Sequence, residues 1–270
     1  MLPFKQFILE SNFSQLPSYL IDQIKALITD YVGTSCQIEI SPGNYVKPTD
    51  YSLLGHIKIN HPQNNYAWAA IQVPIRFVDV LTKGGGFNEK LMLIGISLAE
   101  FEYIHYMDNR KKSNLFSTLV HETQHAIDII RNKFSDKTKV KYYKAVDRLR
   151  KAVLKSEEDA AYRDYIQHPV EMHPVSSEIY HTITEYYSNL KLESEKLLFL
   201  EELKAFIKSG LDKYVGTGKV LKLPPYFNTN FYKDFLESLI PGSQPYKQFK
   251  LRLLNLYNNL RAVTPRFSVK

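Results

Sequence analysis

The sequence predicts an α+β fold in which a small antiparallel sheet is followed by a helix that carries a metal-binding pattern and by a mostly helical C-terminal half. Short segments rich in Ile, Val and aromatic residues are confined to residues 37–97, and apolar residues at helical spacing precede and follow them. This order differs from the alternation of strands and helices in parallel α/β proteins. The 270 residues are 44% hydrophobic and 23% charged, which excludes disordered and fibrous classes.

The first predicted element is an amphipathic helix over residues 16–33. Leu20 and Ile24 stand one helical turn apart in a longer apolar pattern, with Pro17 near the start and Gly33 at the end. Proline is favoured in the first turn of a helix and glycine just after its last turn. The pattern therefore predicts a helix that packs one face against a core.

Four strands follow, at residues 37–40, 53–60, 66–75 and 91–97. Turn sequences such as SPG and HPQNN separate them. The triple glycine at 84–86 stands between two predicted strands, so it predicts a hairpin loop rather than a phosphate-binding loop, which would precede a helix. We expect these strands to form a small antiparallel sheet.

Helical spacing returns after residue 112. The predicted helices cover residues 113–132, 139–167, 174–190, 193–209, 230–239 and 245–262. The clearest interruption, residues 209–228, contains several Gly and Pro residues. It predicts a main domain at 1–208 and a helical C-terminal extension at 209–270.

The composition also limits the cellular compartment and the binding partners that we expect for this protein. A single cysteine, Cys36, excludes an internal disulfide. The N-terminal segment lacks the three regions of a signal peptide, and no apolar stretch is long enough to cross a bilayer. We therefore expect a cytoplasmic protein with no membrane partner. The formal net charge of +7 is too small to establish nucleic-acid binding.

The segment with the clearest chemistry is the pattern H-E-x-x-H, formed by His121, Glu122 and His125 within an apolar helical stretch. Histidines at i and i+4 project from one face of a helix, so both imidazoles can bind one zinc ion at about 2.0–2.1 Å. Zinc lowers the pKa of a bound water, and the neighbouring glutamate can take its proton. Asp128, one turn further on, is a candidate acceptor for an imidazole N–H.

A third protein ligand must complete such a site. The extended metzincin pattern is excluded, because Asp128 replaces its glycine and Arg131 replaces its third histidine. The candidates are His168, Glu171, His173 and Glu178.

Glu171 is the favoured third ligand. Pro169 can begin a helix, and Glu171 then lies in its first turn, where the helix dipole favours a carboxylate. His168 precedes that turn, and His173 lies about 200° further round the helix than Glu171.

A second pattern accompanies this residue. Tyr165, Pro169 and Glu171 form Y-x-x-x-P-x-E. Together with H-E-x-x-H, and over about residues 90–182, the chain resembles the compact gluzincin-type metallopeptidases, many of which are encoded by phages and mobile elements.

The resemblance implies a zincin-like fold that binds Zn²⁺. It implies that His121, His125 and Glu171 are the zinc ligands and that Glu122 is the general base. It also implies that the strand at 91–97 lies along a peptide substrate.

Catalysis also requires a donor to the oxyanion that forms when the carbonyl is attacked. The candidates are Tyr162, Tyr165, His173 and Tyr180. Of these, Tyr165 is our candidate catalytic residue.

These residues predict a zinc metallopeptidase, a hydrolase that cleaves peptide bonds in a protein or peptide substrate. The alternative is a non-catalytic zincin-like structural or virion-associated protein, and a phage-encoded protein would be packaged in the virion.

Residues 131–155 contain ten Lys or Arg and two Asp. This segment predicts the solvated face of a helix. Its alternative is a docking surface for an acidic partner or for nucleic acid.

Overall fold

The computed structural model describes residues 16–33, 38–41, 44–46, 52–60, 70–78, 84–98, 109–153, 158–217 and 230–264. These residues belong to two compact units, one within Leu16–Ser135 and one within Asp136–Lys270. The first unit contains a small sheet with helices, and the described part of the second unit is helical. The predicted α+β fold class is therefore confirmed.

Along the chain of the first unit, the strands lie between two helices. Its elements are α1 (Ser18–Gly33), β1 (Ile38–Ser41), β2 (Asn44–Val46), β3 (Leu53–Ile59), β4 (Ile71–Val78), β5 (Gly85–Asn88), β6 (Leu93–Ser97) and α2 (Asn109–Ile130). Strands β1 and β2 form an antiparallel pair, and the other four form one sheet in the order β3-β4-β6-β5.

The four-stranded sheet is mixed, which corrects the prediction of an antiparallel sheet. Strand β3 pairs antiparallel with β4, and β5 pairs antiparallel with β6, but β4 and β6 run parallel. The reason is the path of the chain, which passes from β4 to the outer position of β5 and then returns to place β6 between them. Neighbours in the sequence are therefore not always neighbours in the sheet.

Two of the three glycines belong to the sheet, so the triple glycine is not the predicted hairpin loop. Gly85 and Gly86 lie in β5 and pair with β6, and only Gly84, with φ +61°, has a backbone conformation that favours glycine. Three consecutive glycines resemble a loop in sequence because glycine is depleted in strands.

The strand predicted at 91–97 is the inner strand β6. Its backbone already pairs with β4 on one side and with β5 on the other. A peptide needs unpaired N–H and C=O groups to add itself to a sheet, so β6 cannot hold a substrate in this way. The implied substrate strand is therefore wrong, and β5 is the outer strand next to it.

Helices α1 and α2 pack on this sheet around one apolar core. Alternate residues of β3 and β4 face the core, which is the period-two pattern that predicts strands. The fully buried core side chains include Leu20, Ile24, Ile57, Val73, Ile75, Phe77, Ile94, Ile96, Leu115, Leu119 and Val120. This packing holds α2 against β5 and β6.

The second unit is built from helices. Its elements are α3 (Asp136–Val153), α4 (Glu158–Ile166), α5 (Pro169–Asn189), α6 (Glu193–Ala205), a π-helical segment (Phe206–Gly210), α7 (Leu211–Thr217), α8 (Asn230–Ser238) and α9 (Gln244–Val263). The single helix predicted over 139–167 is therefore two helices. They pack against each other and are joined by an ion pair between Arg148 and Asp164, at 2.5 Å.

The core of the second unit extends across the predicted domain boundary at 208/209. Val175 and Ile179 of α5 share a hydrophobic cluster with Leu211 of α7, Phe235 of α8 and Phe249 of α9. The boundary stays a prediction, although residues on both sides of it share this core. Among the helices described, none is long and apolar enough to span a membrane.

Candidate metal centre

Helix α2 carries the H-E-x-x-H pattern on its C-terminal half. The helix begins at Asn109, one turn before the predicted start at residue 113, and its apolar side packs on the sheet. His121 and His125 are half-buried, and their ring centroids are 5.1 Å apart. The two imidazoles therefore lie side by side on one face, as their i, i+4 spacing predicts.

Glu122 is buried where α2 meets strand β5. A Cβ atom placed on Gly85 would lie 3.1 Å from Glu122 Cγ and 2.7 Å from Thr118 Cγ2. The backbone of β5 thus passes directly over this turn of α2, and only glycine leaves room for the close approach. The side chain of Glu122 is consequently confined by the sheet.

Asp128 is buried one turn after His125. Gln124 Nε2 donates a hydrogen bond of 2.9 Å to Asp128 Oδ1, and Lys133 Nζ lies 4.0 Å from the same oxygen. A buried carboxylate with these partners is a fixed acceptor at the end of the helix. The predicted hydrogen bond from an imidazole to Asp128 stays a prediction.

Glu171 lies in the first turn of α5, as predicted. His168 is the N-cap residue, and its Nδ1 accepts a hydrogen bond of 3.3 Å from the backbone N–H of Val170. Pro169 occupies the first helical position, where its missing N–H costs nothing. The helix runs from Pro169 through Pro174 to Asn189, so it begins before the start at residue 174 that the apolar spacing predicts.

The structure brings together three of the predicted residues. One ligand atom each of His121, His125 and Glu171 lies within 4.8 Å of the other two. Glu171 is buried and the two histidines are half-buried. Two imidazole nitrogens and one carboxylate oxygen are a ligand set found in catalytic zinc sites, so this group can bind a metal ion.

The other candidates for the third ligand are not part of this group. In the described part of the chain, the group contains Glu171 and omits His168, His173 and Glu178. His168 has its Nδ1 engaged as a helix cap. Burial lowers the pKa of His168; the Glu171 carboxylate opposes this shift, and Lys141 adds to it.

Aromatic side chains surround Glu171 within its own unit. The hydroxyl of Tyr142, on α3, donates a hydrogen bond to Glu171 Oε1. The Tyr142 ring stacks on Tyr165, with 5.9 Å between centroids, and lies 5.4 Å from the His168 ring. These contacts place α3 and the end of α4 around the carboxylate.

Tyr165, the candidate catalytic residue, is half-buried at the end of α4. Tyr162 packs near it, with 6.4 Å between ring centroids, while His173 and Tyr180 are buried on α5. The choice of oxyanion donor among these four residues stays a prediction.

Sequence reasoning missed two residues of this region. Gly85 belongs to the triple glycine at 84–86, which stands out in the sequence, but three consecutive glycines also fit a loop. Tyr142 has no signal at all, because it stands in a strongly basic helix 29 residues before Glu171 and belongs to neither motif. Both residues act through contacts between elements, which sequence spacing does not encode.

Comparison with known proteins assigns no relative. No protein-family model, curated protein or solved structure matches the chain. The function is therefore inferred from the residues of the candidate metal centre.

Proposed function

We propose that this chain is a zinc-dependent endopeptidase of the gluzincin type. His121, His125 and Glu171 hold the zinc ion, and Glu122 is the general base. The observation that carries the proposal is the grouping of these three ligand atoms within 4.8 Å, with a glutamate directly after the first histidine.

The donor set favours zinc over magnesium and calcium. Mg²⁺ and Ca²⁺ prefer oxygen ligands and coordination by six or more atoms, whereas two imidazoles and one carboxylate suit a tetrahedral zinc site. Three protein ligands also leave the fourth position open, which distinguishes a catalytic zinc site from a structural one.

Zinc held by these residues would supply a Lewis acid that activates water and polarises a carbonyl. Glu122 performs the proton transfers: its carboxylate takes a proton from the attacking water and returns it to the departing amine. Its burial under β5 supports this role, because a confined carboxylate keeps one orientation towards the reacting atoms.

Tyr165 is the proposed donor to the developing oxyanion. It belongs to the second motif and lies at the end of α4, three residues before the N-cap of α5. A phenol hydroxyl can donate a hydrogen bond to an oxyanion without a change in net charge.

The first prediction concerns the general base. Glu122→Gln should lower hydrolysis of an unfolded test protein by at least about 100-fold, because the amide cannot accept the proton. Zinc content should remain one ion per chain, because Glu122 is not a ligand. The measurements are chelator-sensitive proteolysis and metal analysis of the purified protein.

Glu202→Gln is the matched control, because Glu202 is an exposed glutamate on α6. It should retain wild-type activity. Undiminished activity in Glu122→Gln would reject Glu122 as the base. A wild-type protein that binds zinc and cleaves nothing would favour the non-catalytic alternative.

A further inference from the structure

The Glu171 carboxylate has a partner that belongs to neither motif. We propose that Tyr142 is a positioning residue that orients Glu171 for the metal. This inference rests on the proposed zinc site and names the residue that prepares one of its ligands.

The contact is a direct hydrogen bond. Tyr142 donates its hydroxyl proton to Glu171 Oε1, and the carboxylate is buried, with 2% of the residue exposed. A buried carboxylate needs donors to replace water. An ionised carboxylate has about four acceptor positions on two oxygens, so it can accept this hydroxyl and still bind a metal. The bond restricts rotation of the carboxylate about its last torsion.

The donor itself is held in place by packing. The Tyr142 ring stacks on Tyr165 at an interplanar angle of 29° and lies against His168. The ion pair of Arg148 with Asp164 joins α3, which carries Tyr142, to α4. A donor fixed on packed helices controls its acceptor more closely than a donor on a loop.

The surroundings of Glu171 thus resemble the outer shell of known metal sites. Groups that hydrogen-bond to a ligand fix its orientation, and their loss weakens metal binding by about 10- to 100-fold. Tyr142→Phe removes only the hydroxyl and leaves the ring stacking intact. It therefore tests the hydrogen bond alone.

The experiment measures zinc affinity by competition with a chelator, together with the visible spectrum of the cobalt(II)-substituted protein, which reports ligand geometry. Tyr142→Phe should bind zinc about 10- to 100-fold more weakly than the wild type and should show a changed cobalt spectrum. Tyr143→Phe is the control, because Tyr143 is the neighbouring tyrosine and is 51% exposed. It should match the wild type in both measurements.

A double-mutant cycle separates positioning from general support of the fold. In a Glu171→Ala background, Tyr142→Phe should cause no further loss of zinc affinity, because Tyr142 acts only through that carboxylate. The same loss in both backgrounds would overturn the proposal. Unchanged affinity and spectrum in the Tyr142→Phe single variant, or unfolding of that variant in circular dichroism, would also overturn it.

Neither the zinc affinity nor the cobalt spectrum depends on peptide hydrolysis. A wild-type protein that binds zinc without cleaving peptides rejects the proposed function and leaves the Tyr142 test intact. A wild-type protein that binds no zinc rejects both proposals.

Discussion

At the scale of single residues, Gly85 lies where the sheet meets the turn of α2 that carries Glu122. A Cβ at this position would lie 2.7 Å from Thr118 Cγ2, 2.9 Å from the Gly95 carbonyl oxygen and 3.1 Å from Glu122 Cγ. A threonine side chain and a backbone carbonyl cannot easily move aside. The position therefore requires glycine for space and not for backbone conformation.

Gly85→Ala should lower the free energy of unfolding by roughly 1–3 kcal/mol through overpacking. It should also lower kcat, because the extra methyl group displaces Glu122. Denaturant titration and hydrolysis kinetics measure the two effects. Gly86→Ala is the matched control on the same strand, since a Cβ there meets nothing within 4 Å. Similar behaviour of the two variants would contradict the close approach of β5 to α2.

His168 caps the helix that carries Glu171. Its Nδ1 accepts the Val170 N–H, which requires an unprotonated nitrogen at that position. Burial lowers its pKa, which favours the neutral form that the cap needs. The cap fixes the start of α5 and thereby the position of Glu171 in the first turn.

At the scale of elements, α3 presents two different faces. Tyr142 faces Glu171, while five exposed cations form a stripe at spacings of three and four residues: Lys137, Lys141, Lys144, Arg148 and Lys151. Two of them already pair with carboxylates, Arg148 with Asp164 and Lys151 with Asp147. These side chains are exposed, and the choice between a solvated face and a docking surface stays a prediction.

Reversing Lys137 and Lys144 to Glu should leave kcat/KM for a short neutral peptide unchanged, because an exposed charge in high dielectric has little effect on the site. Lys141 is kept because its charge acts on His168, and Arg148 because of its ion pair. Kinetics on the peptide and on an acidic protein measure the effect. Slower cleavage of the acidic protein alone would instead assign the stripe to docking.

At the scale of the whole molecule, a bound metal should raise the free energy of unfolding. A ligand that binds only the folded chain stabilises it by about 2.7 kcal/mol when its free concentration is 100 times its Kd. Zinc should therefore raise the Tm of the chelator-treated protein, and renewed chelation should reverse the change. Thermal unfolding followed by circular dichroism measures the shift.

Ligand variants make this measurement specific. Glu171→Ala should lose most of the zinc-dependent shift in Tm, whereas His173→Ala should retain it, because His173 is not part of the grouped ligands. An unchanged shift in Glu171→Ala, together with its loss in His173→Ala, would overturn the assignment of the third ligand.

The α+β class, the helix with His121 and His125, and the place of Glu171 in the first turn of a helix could all be predicted from sequence. Each depends on local geometry: the period of the apolar residues, the i, i+4 spacing, and the preference of proline for a helix start. The break between α3 and α4 could not be predicted in this way, because both helices have the same period.

Tertiary packing decides the remaining features. The parallel pair β4 and β6, the placement of Gly85 over Glu122 and the hydrogen bond of Tyr142 to Glu171 each join segments that are distant in sequence. Residue periodicity specifies which face of an element is buried, but it does not specify which other element covers that face. The partners of a side chain follow from the path of the chain in space, so they are visible only in the folded structure.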